Sequence, residues 1–260
     1  EYDIFIPSPQ PIRQRGLSDD VIVDFRLGYA PHSGLFPHLQ QREFSTELIK
    51  SAGLVGVSDR DGSVYDYFRD RLIFPIEDPR GQIIGFGARA LGELKPKYLN
   101  SPESPSFVKK SVLYGWSRAR KAARRGLPVI VVEGYMDVIA VSSSGVAAAV
   151  APLGTALGED QFRLLWKLSN DPVLCFDGDK AGQIAAQRAI ERVLPLLEPG
   201  RSVRLAVLPE GQDPDDILRQ KGPDGLRRIL SAATGLLDSL WARKAADYHL
   251  DDPRTQAGAK

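Results

Sequence analysis

The chain has 260 residues, of which 43% are apolar and 26% are charged, and its formal net charge is +1. This composition is typical of a globular protein with one large domain or two ordinary ones. No apolar run reaches the roughly 20 residues of a membrane span, so a membrane protein is excluded. The single cysteine, Cys175, and three distant histidines exclude a disulfide framework and a Cys/His zinc site, which favours a reducing, cytoplasmic setting. The chain begins with Glu1, shows no secretion signal, and is interpreted as a fragment.

Residues 12–126 are predicted to form a mixed α+β unit. The proline-punctuated segment 1–11 before it is interpreted as a linker or an expression remnant. Ser18 is a candidate N-cap of the first helix, because its hydroxyl can accept a hydrogen bond from the first helical turn. The further elements expected here are a short helix over 44–52 and a β-hairpin with strands over 71–76 and 82–89.

From residue 127 onwards, strand-like and helix-like segments alternate. Such alternation predicts a parallel sheet that is covered by helices on both faces. We expect this domain to span 127–220, and 221–260 to open a C-terminal helical subdomain. The expected strands are 129–132, 147–150, 173–176 and 203–208, and the expected helices are 136–143, 158–168, 180–194 and others up to about residue 248.

Three of the expected strands are followed directly by carboxylates. Parallel strands gather such residues at the carboxyl edge of the sheet, where open α/β sheets bind their ligands. Mg²⁺ takes oxygen ligands and usually one or two carboxylates, so six acids suit two ions, or one ion and a general base. Two ions can hold the attacking and leaving oxygens of a phosphoryl transfer. The six acids are Glu133, Asp137, Asp177, Asp179, Asp213 and Asp215.

The spacing within these acidic segments gives further expectations. If the strand continues, Asp177 and Asp179 point to the same side, and Gly178 leaves room for a ligand. The helix that starts at Lys180 offers N–H groups to one of these carboxylates or to a phosphate. Pro214 is expected to stiffen a loop between the last two acids. A single Asp-X-Asp is weak evidence, but three acidic segments after three strands make a purely structural explanation improbable.

The positive charge is concentrated before the parallel sheet. Residues 80–125 contain eleven Lys and Arg residues and two acids, which suits a partner with a phosphate backbone. For the cluster 118–125 we favour a solvated helix surface. Arg89, Lys97 and Lys109 differ, because they lie among glycines, aromatic residues and Asn100.

At this point the motifs resemble a known domain. Glu133-Gly134-Tyr135-Met136-Asp137, Asp-Gly-Asp-Lys-Ala-Gly at 177–182 and Asp-Pro-Asp-Asp at 213–216 resemble the three metal motifs of the Toprim domain. That domain is shared by bacterial primases, topoisomerases and some nucleases. The hairpin over 71–89, Pro-Lys-Tyr-Leu-Asn-Ser-Pro-Glu at 96–103 and Leu-Tyr-Gly at 113–115 resemble the N-terminal part of the bacterial DnaG-type primase polymerase domain.

The resemblance spans about residues 12–241 and implies an α/β fold. In this fold a Toprim-type, mostly parallel sheet with helices on both faces follows a mixed α+β N-terminal subdomain. The resemblance also implies an RNA polymerase that makes short primers on single-stranded DNA with two Mg²⁺ ions, for which Mn²⁺ can substitute. It implies no zinc in this fragment. The six acids would hold the metals, with Glu133, Asp177 and Asp179 catalytic and Glu133 a candidate general base. Nucleotide and template would contact Arg15, Arg69, Arg71, Arg89, Lys97, Tyr98, Asn100 and Lys109.

The partners implied are the DNA template and ribonucleoside triphosphates. The replicative helicase and single-strand-binding protein would contact regions of the full-length protein that this chain lacks, in the bacterial cytoplasm at the replisome. Two alternatives remain open: a Toprim nuclease or topoisomerase piece, and a nucleic-acid-binding module without catalysis. Tyr98 either stacks on a base or packs. Trp166 and Trp241 are expected in the core, Cys175 is expected to be buried, and Trp116 is expected to be partly exposed.

Overall fold

The computed structural model describes residues 17–154 and 156–247. Residues 1–11 and Arg15 therefore lie outside the described residues. Ser18 caps the first helix as expected, since its Oγ accepts a hydrogen bond from the Val21 N–H at 3.4 Å. The elements of the first part are α1 (Asp19–Asp24), β1 (Gly28–Ala30), α2 (Leu35–Gln41), α3 (Thr46–Ser51), β2 (Val55–Val57), β3 (Val64–Asp66), β4 (Arg71–Glu77), β5 (Ile83–Ala90) and β6 (Tyr98–Asn100).

An antiparallel sheet with strand order β1-β4-β5-β6 organises this part, and β2 pairs with β3 separately. The predicted hairpin is confirmed as β4 and β5. The flanking strands β1 and β6 were not predicted, because three residues are too short to show a period. Strand β6 places Tyr98 opposite Arg89 and Asn100 opposite Gly87.

The second part alternates strands and helices as expected. A 3₁₀ turn (Lys109–Ser111) leads into it, and a second one (Leu194–Leu196) follows its longest regular helix. Its remaining elements are α4 (Trp116–Ala123), β7 (Val129–Val131), α5 (Tyr135–Ser144), β8 (Ala148–Val150), α6 (Glu159–Leu165), β9 (Val173–Leu174), α7 (Lys180–Val193), β10 (Arg204–Leu205), α8 (Pro214–Ser231, kinked at Gly222), β11 (Thr234–Gly235) and α9 (Leu236–Asp247).

The second sheet has the strand order β11-β10-β9-β7-β8. All its pairs are parallel except β10 with β11, so the expected mostly parallel sheet is confirmed. The chain leaves β7 towards β8 on one side and returns to β9 on the other. This reversal opens a crevice at the carboxyl ends of β7 and β9, which is where such sheets bind ligands.

The strands are shorter than predicted. Strand β9 ends at Leu174, although the Cys175 N–H still donates to the Val131 carbonyl at 2.8 Å. The chain then turns away from the sheet and into the acidic segment.

Helices cover both faces of the parallel sheet. Ile130 contributes to one core cluster together with α5 and α8, whereas Val129 and Val131 contribute to another with α4, α6 and α7. This division follows from the alternation of side chains along a strand. The first of these clusters also contains Phe74 of β4, so the two sheets share a core.

Two of the expectations for large side chains are wrong. Trp116 is only 7% exposed, and its indole lies under the Arg120 guanidinium. Trp241 is 74% exposed, like Leu237, because α9 packs against the protein through Leu236 instead. Trp166 and Cys175 are buried as expected. In the described part of the chain no helix is long and apolar enough to cross a membrane.

Candidate metal and nucleic-acid site

A hydrogen bond to an acidic side chain connects the segments that follow β7 and β9. Glu133 follows β7, and its Oε1 accepts a hydrogen bond from the Asp177 N–H at 3.0 Å. Burial raises the pKa of Glu133, the Asp177 N–H lowers it, and the charge of Asp179 raises it again. Glu133 is therefore held in one position and ionises less readily than an ordinary glutamate.

Asp177 is at the centre of the acidic group. Its Oδ1 is buried, and among the described residues no donor reaches it. Burial, followed by the charges of Glu133, Asp213 and Asp179, raises its pKa from 3.8 to about 7. A buried carboxylate oxygen without a donor carries a desolvation cost that a bound cation would remove.

Asp137 lies in the first turn of α5 and is 8% exposed. Its Oδ2 accepts a hydrogen bond from the Gly134 N–H at 3.1 Å. Burial, followed by the charges of Asp177 and Asp213, raises its pKa from 3.8 to about 8. The charge of Asp177 therefore acts on both Glu133 and Asp137, so Asp177 is close to each of these two acids.

Two of the predicted acids are helix N-caps. Asp179 Oδ1 accepts from the Gly182 N–H, and Asp213 Oδ1 accepts from the Asp216 N–H, each at 2.7 Å. The expectation that the start of α7 would bind a carboxylate is confirmed. The premise that strand β9 continues through Asp177 and Asp179 is wrong, because β9 ends at Leu174 and the chain bends at Gly178 and Asp179. Asp179 itself keeps extended dihedral angles and serves as the N-cap of α7.

Asp213 and Asp215 likewise open a helix rather than flank a stiffened loop, with Pro214 as the first residue of α8. Burial raises the pKa of Asp215, whereas Arg219, whose Nη2 lies 3.3 Å from its Oδ2, lowers it. Asp216 also contacts Arg219, at 2.8 Å, and its charge contributes to the raised pKa of Asp177. Sequence reasoning omitted Asp216 although the motif contains it, because a two-residue spacing was sought.

Two glycines allow the close approach of the acidic segments. A Cβ at Gly178 would lie 1.9 Å from the Pro209 carbonyl oxygen, so this glycine makes room for the neighbouring loop rather than for a ligand, contrary to expectation. A Cβ at Gly182 would lie 2.1 Å from the Asp177 carbonyl oxygen and 2.8 Å from Glu133 Oε1. Only glycine lets the start of α7 approach Asp177 and Glu133 this closely.

The donor chemistry of this edge suits a hard divalent cation. Within the described ranges, no three His, Cys, Asp or Glu side chains form a ready-made metal cage. Mg²⁺ does not need one, because it keeps several waters and takes one or two carboxylates. The buried Asp177 Oδ1 and the raised pKa values of its neighbours fit a site in which a cation offsets the repulsion.

The predicted basic residues around Tyr98, which we call the basic side, adjoin the start of α5. The Arg89 guanidinium and the Lys97 ammonium lie 5.7 and 5.9 Å from the centre of the Tyr98 ring. That ring is 40% exposed and lies 6.3 Å from the ring of Tyr135, which begins α5. Tyr98 therefore both packs on Tyr135 and offers surface to a ligand.

Asn100 connects the two sheets. Its Oδ1 accepts a hydrogen bond from the Tyr135 hydroxyl at 2.5 Å, and its Nδ2 donates to the Leu153 carbonyl at 3.2 Å. Its side chain is thus engaged by the protein itself.

The other predicted binding residues have different surroundings. Arg71 is 5% exposed, and its Nη1 donates to the Pro96 carbonyl at 2.8 Å. Arg69 is exposed, with its guanidinium 5.0 Å from the centre of the Tyr65 ring. Lys109 lies in a 3₁₀ turn and is half-buried. Arg15 lies outside the described residues.

The parallel sheet and its acidic carboxyl edge define a Toprim domain, and the Toprim family model matches residues 128–206. The model of the DNA primase catalytic core, N-terminal domain, matches residues 10–120. A crystal structure of a DNA primase domain from Pseudomonas aeruginosa is 42% identical, with a TM-score of 0.85 over 94% of this chain and 78% of that one. The chain belongs to the DnaG-type DNA primase catalytic core family.

Further solved structures and relatives agree with this. The structure of a DnaG primase catalytic domain bound to ssDNA has a TM-score of 0.85 and 38% identity, covering 98% of this chain and 80% of that one. The DNA primase of Pseudomonas aeruginosa is 45% identical over 95% of this chain, and that of Pasteurella multocida is 40% identical over 98%. The chain spans 37% and 44% of the lengths of these two relatives.

Proposed function

We propose that this chain is a catalytic core that synthesises short RNA primers on single-stranded DNA from ribonucleoside triphosphates. The observation that carries the proposal is the group of acids around Asp177, placed beside the cations and aromatic ring of β5 and β6. Acids of this kind hold divalent metals, and the cations suit phosphates. The family membership and the DNA bound in a related structure support the same activity.

In this proposal the acidic edge holds two Mg²⁺ ions, for which Mn²⁺ substitutes. When bound, the ions offset the charge that develops on the transferred phosphoryl group and polarise its oxygens. The metal-holding residues are Glu133, Asp137, Asp177, Asp179, Asp213 and Asp215, of which Glu133, Asp177 and Asp179 are the catalytic ones.

Glu133 acts as the general base for the primer 3′-hydroxyl. One of its oxygens is held by the Asp177 N–H, and its second oxygen is left to accept a proton. Its raised pKa makes the carboxylate a stronger base than an exposed glutamate, which brings it closer to the working pH.

The basic side binds the nucleotide triphosphate and the template backbone. Arg69, Arg89, Lys97 and Lys109 supply charge, and the exposed face of Tyr98 stacks on a base. Arg71 and Asn100 position the basic side through their hydrogen bonds to the protein. Arg15 is the remaining residue proposed to contact nucleotide or template. Residues 12–126 supply the basic side, 127–220 supply the acids, and 221–260 begin the helical subdomain.

The relatives are more than twice as long as this chain, and their further length can carry binding sites for other proteins. We propose that the replicative helicase and single-strand-binding protein contact parts of the whole protein outside this chain, at the replisome in the bacterial cytoplasm.

The test is incubation with a single-stranded DNA, ribonucleotides and Mg²⁺ or Mn²⁺. We expect short RNA products from the parent chain, and none from Asp177→Asn, which should retain DNA binding. The matched control is Asp224→Asn, an exposed carboxylate on α8 that should retain synthesis. Strand breakage would instead indicate a nuclease, DNA binding without synthesis would indicate a non-catalytic module, and an active Asp177→Asn chain would refute the metal site.

A further inference from the structure

A second basic feature lies at the opposite edge of the parallel sheet. It is a cleft of about 750 Å³, which we call the amino-edge cleft. One wall is α4, another is the turn between β4 and β5, and the floor includes Leu127, just before β7, and Ala148, the first residue of β8. Because strands β7 and β8 begin here, the cleft lies at the other end of the sheet from Glu133 and Asp177.

The charges in the amino-edge cleft are unbalanced. Both acids are already paired, Asp24 with Arg118 at 2.7 Å and Glu77 with Arg26. No ion pair is formed within the described ranges by the other four cations that line it. These are Arg80, Arg120, Lys121 and Arg125.

These cations are held on ordered elements. Asp78 Oδ1 accepts hydrogen bonds from the Arg80 N–H at 2.8 Å and the Gln82 N–H at 2.9 Å, which fixes the turn that carries Arg80. The Arg120 guanidinium lies 5.3 Å from the centre of the Trp116 ring. Its Nε is buried and has no hydrogen-bond acceptor in the described part of the chain.

The helix dipole explains only part of this arrangement. Lys and Arg residues are favoured in the last turn of a helix, where the carbonyl groups are negative. This accounts for Arg120 and Lys121 at the end of α4. It does not account for Arg80, which approaches from the other wall, or for the buried Arg120 Nε, which still lacks an acceptor.

We propose that the amino-edge cleft binds a small di- or triphosphate anion, either pyrophosphate or the triphosphate group of a nucleotide. Its volume is in the range of small-ligand sites, and arginine guanidinium groups donate paired hydrogen bonds to phosphate. Ser117 and Ser142 add hydroxyl groups to the lining. The site lies apart from the carboxylates, so binding here does not depend on the proposed function or on a divalent metal.

The test is isothermal titration calorimetry of the whole chain in EDTA with pyrophosphate, tripolyphosphate or ATP. EDTA prevents the acidic edge from recruiting the same anions through metal. The cleft variant is Lys121→Ser with Arg125→Ser, both exposed residues. The control variant is Arg124→Ser with Lys167→Ser, which removes the same charge from exposed positions that do not line the cleft.

We expect saturable one-to-one binding that the cleft variant weakens by about tenfold or more, because charge-assisted hydrogen bonds are lost. The control variant should bind within about twofold of the parent, since only long-range, salt-screened charge changes. Tight binding of pyrophosphate would identify a free anion as the ligand, and tighter binding of ATP would identify a nucleotide. The proposal fails if binding is not saturable, if both variants weaken it equally, or if Lys97→Ala abolishes it while the cleft variant does not. Binding of single-stranded DNA that competes for the cleft more strongly than all three anions would also overturn it.

Discussion

The acidic edge should make the metal-free protein less stable as the pH rises, and Asp137→Asn should remove much of this effect. Asp137 is buried, and its pKa rises from 3.8 to about 8 because of burial and the charges of Asp177 and Asp213. A folded-state pKa above the unfolded value means that folding takes up a proton. The stabilising contribution is then complete below about pH 4 and is lost as the pH rises to about 8.

The size of the effect follows from the shift. Four pH units at about 1.4 kcal/mol each set an upper limit of about 6 kcal/mol for the ionised side chain. Water entry and relaxation reduce such values, so we expect Asp137→Asn to raise the free energy of unfolding by about 1–3 kcal/mol at pH 9. For a chain of this size that is roughly 2–10 °C in melting temperature. Asparagine can still accept the hydrogen bond that the Gly134 N–H donates to Asp137, so the helix cap is retained.

The assay is thermal unfolding in EDTA at pH 4 and pH 9, repeated at pH 9 with Mg²⁺. The variant should match the parent at pH 4 and exceed it at pH 9. Mg²⁺ should stabilise the parent more than the variant, because the cation relieves repulsion that the variant has already lost. Asp224→Asn is the control, since Asp224 is exposed and paired with Arg227. The reasoning would be refuted if variant and parent had equal melting temperatures at pH 9 as well as at pH 4, or if the variant were the less stable of the two at pH 9.

Three other changes test the basic side, the glycine contact and the link between the sheets. Lys97→Ala should weaken binding of single-stranded DNA, with a salt slope lower by about 1, whereas Lys50→Ala, exposed on α3, should leave a filter-binding titration unchanged. Gly182→Ala places a Cβ 2.1 Å from a backbone oxygen and should destabilise by about 1–3 kcal/mol in urea unfolding; Gly92→Ala, in open space, should not. Tyr135→Phe leaves Asn100 Oδ1 without the hydroxyl donor of Tyr135 and should lower the free energy of unfolding by about 1 kcal/mol in the same urea assay.

The acidic edge could be predicted because its signals are local. Apolar runs specify the buried strands, the residues that follow lie at the carboxyl edge by topology alone, and the motif identifies them. The individual hydrogen bonds could not be predicted in the same way. The N-caps at Asp179 and Asp213 depend on where each helix starts, and so does the contact of Asp216 with Arg219, which lie three residues apart in the first turns of α8.

The basic side was less predictable, because charge in the sequence does not reveal burial. Arg71 and Lys97 are both cations near the hairpin, yet Arg71 is 5% exposed and donates to the Pro96 carbonyl, whereas Lys97 is exposed. The difference arises from the pairing of β6 with β5, which three residues cannot specify on their own. Similarly, the apolar pattern of α9 indicates which face is apolar but not whether another element covers Trp241.

Tyr135 is a central contact between the antiparallel sheet and the helix that carries Asp137. Tyr135 is stacked on Phe74 with ring centres 4.7 Å apart, it packs edge to face against Tyr114, and it donates to Asn100. A Cβ at Gly87 would lie 2.2 Å from its ring. Since Tyr135 begins the same helix that carries Asp137, the antiparallel sheet is packed directly on the acidic motif. Under the proposed function, residues of the two sheets would therefore act on one substrate, and a change at this contact should weaken substrate binding and RNA synthesis together.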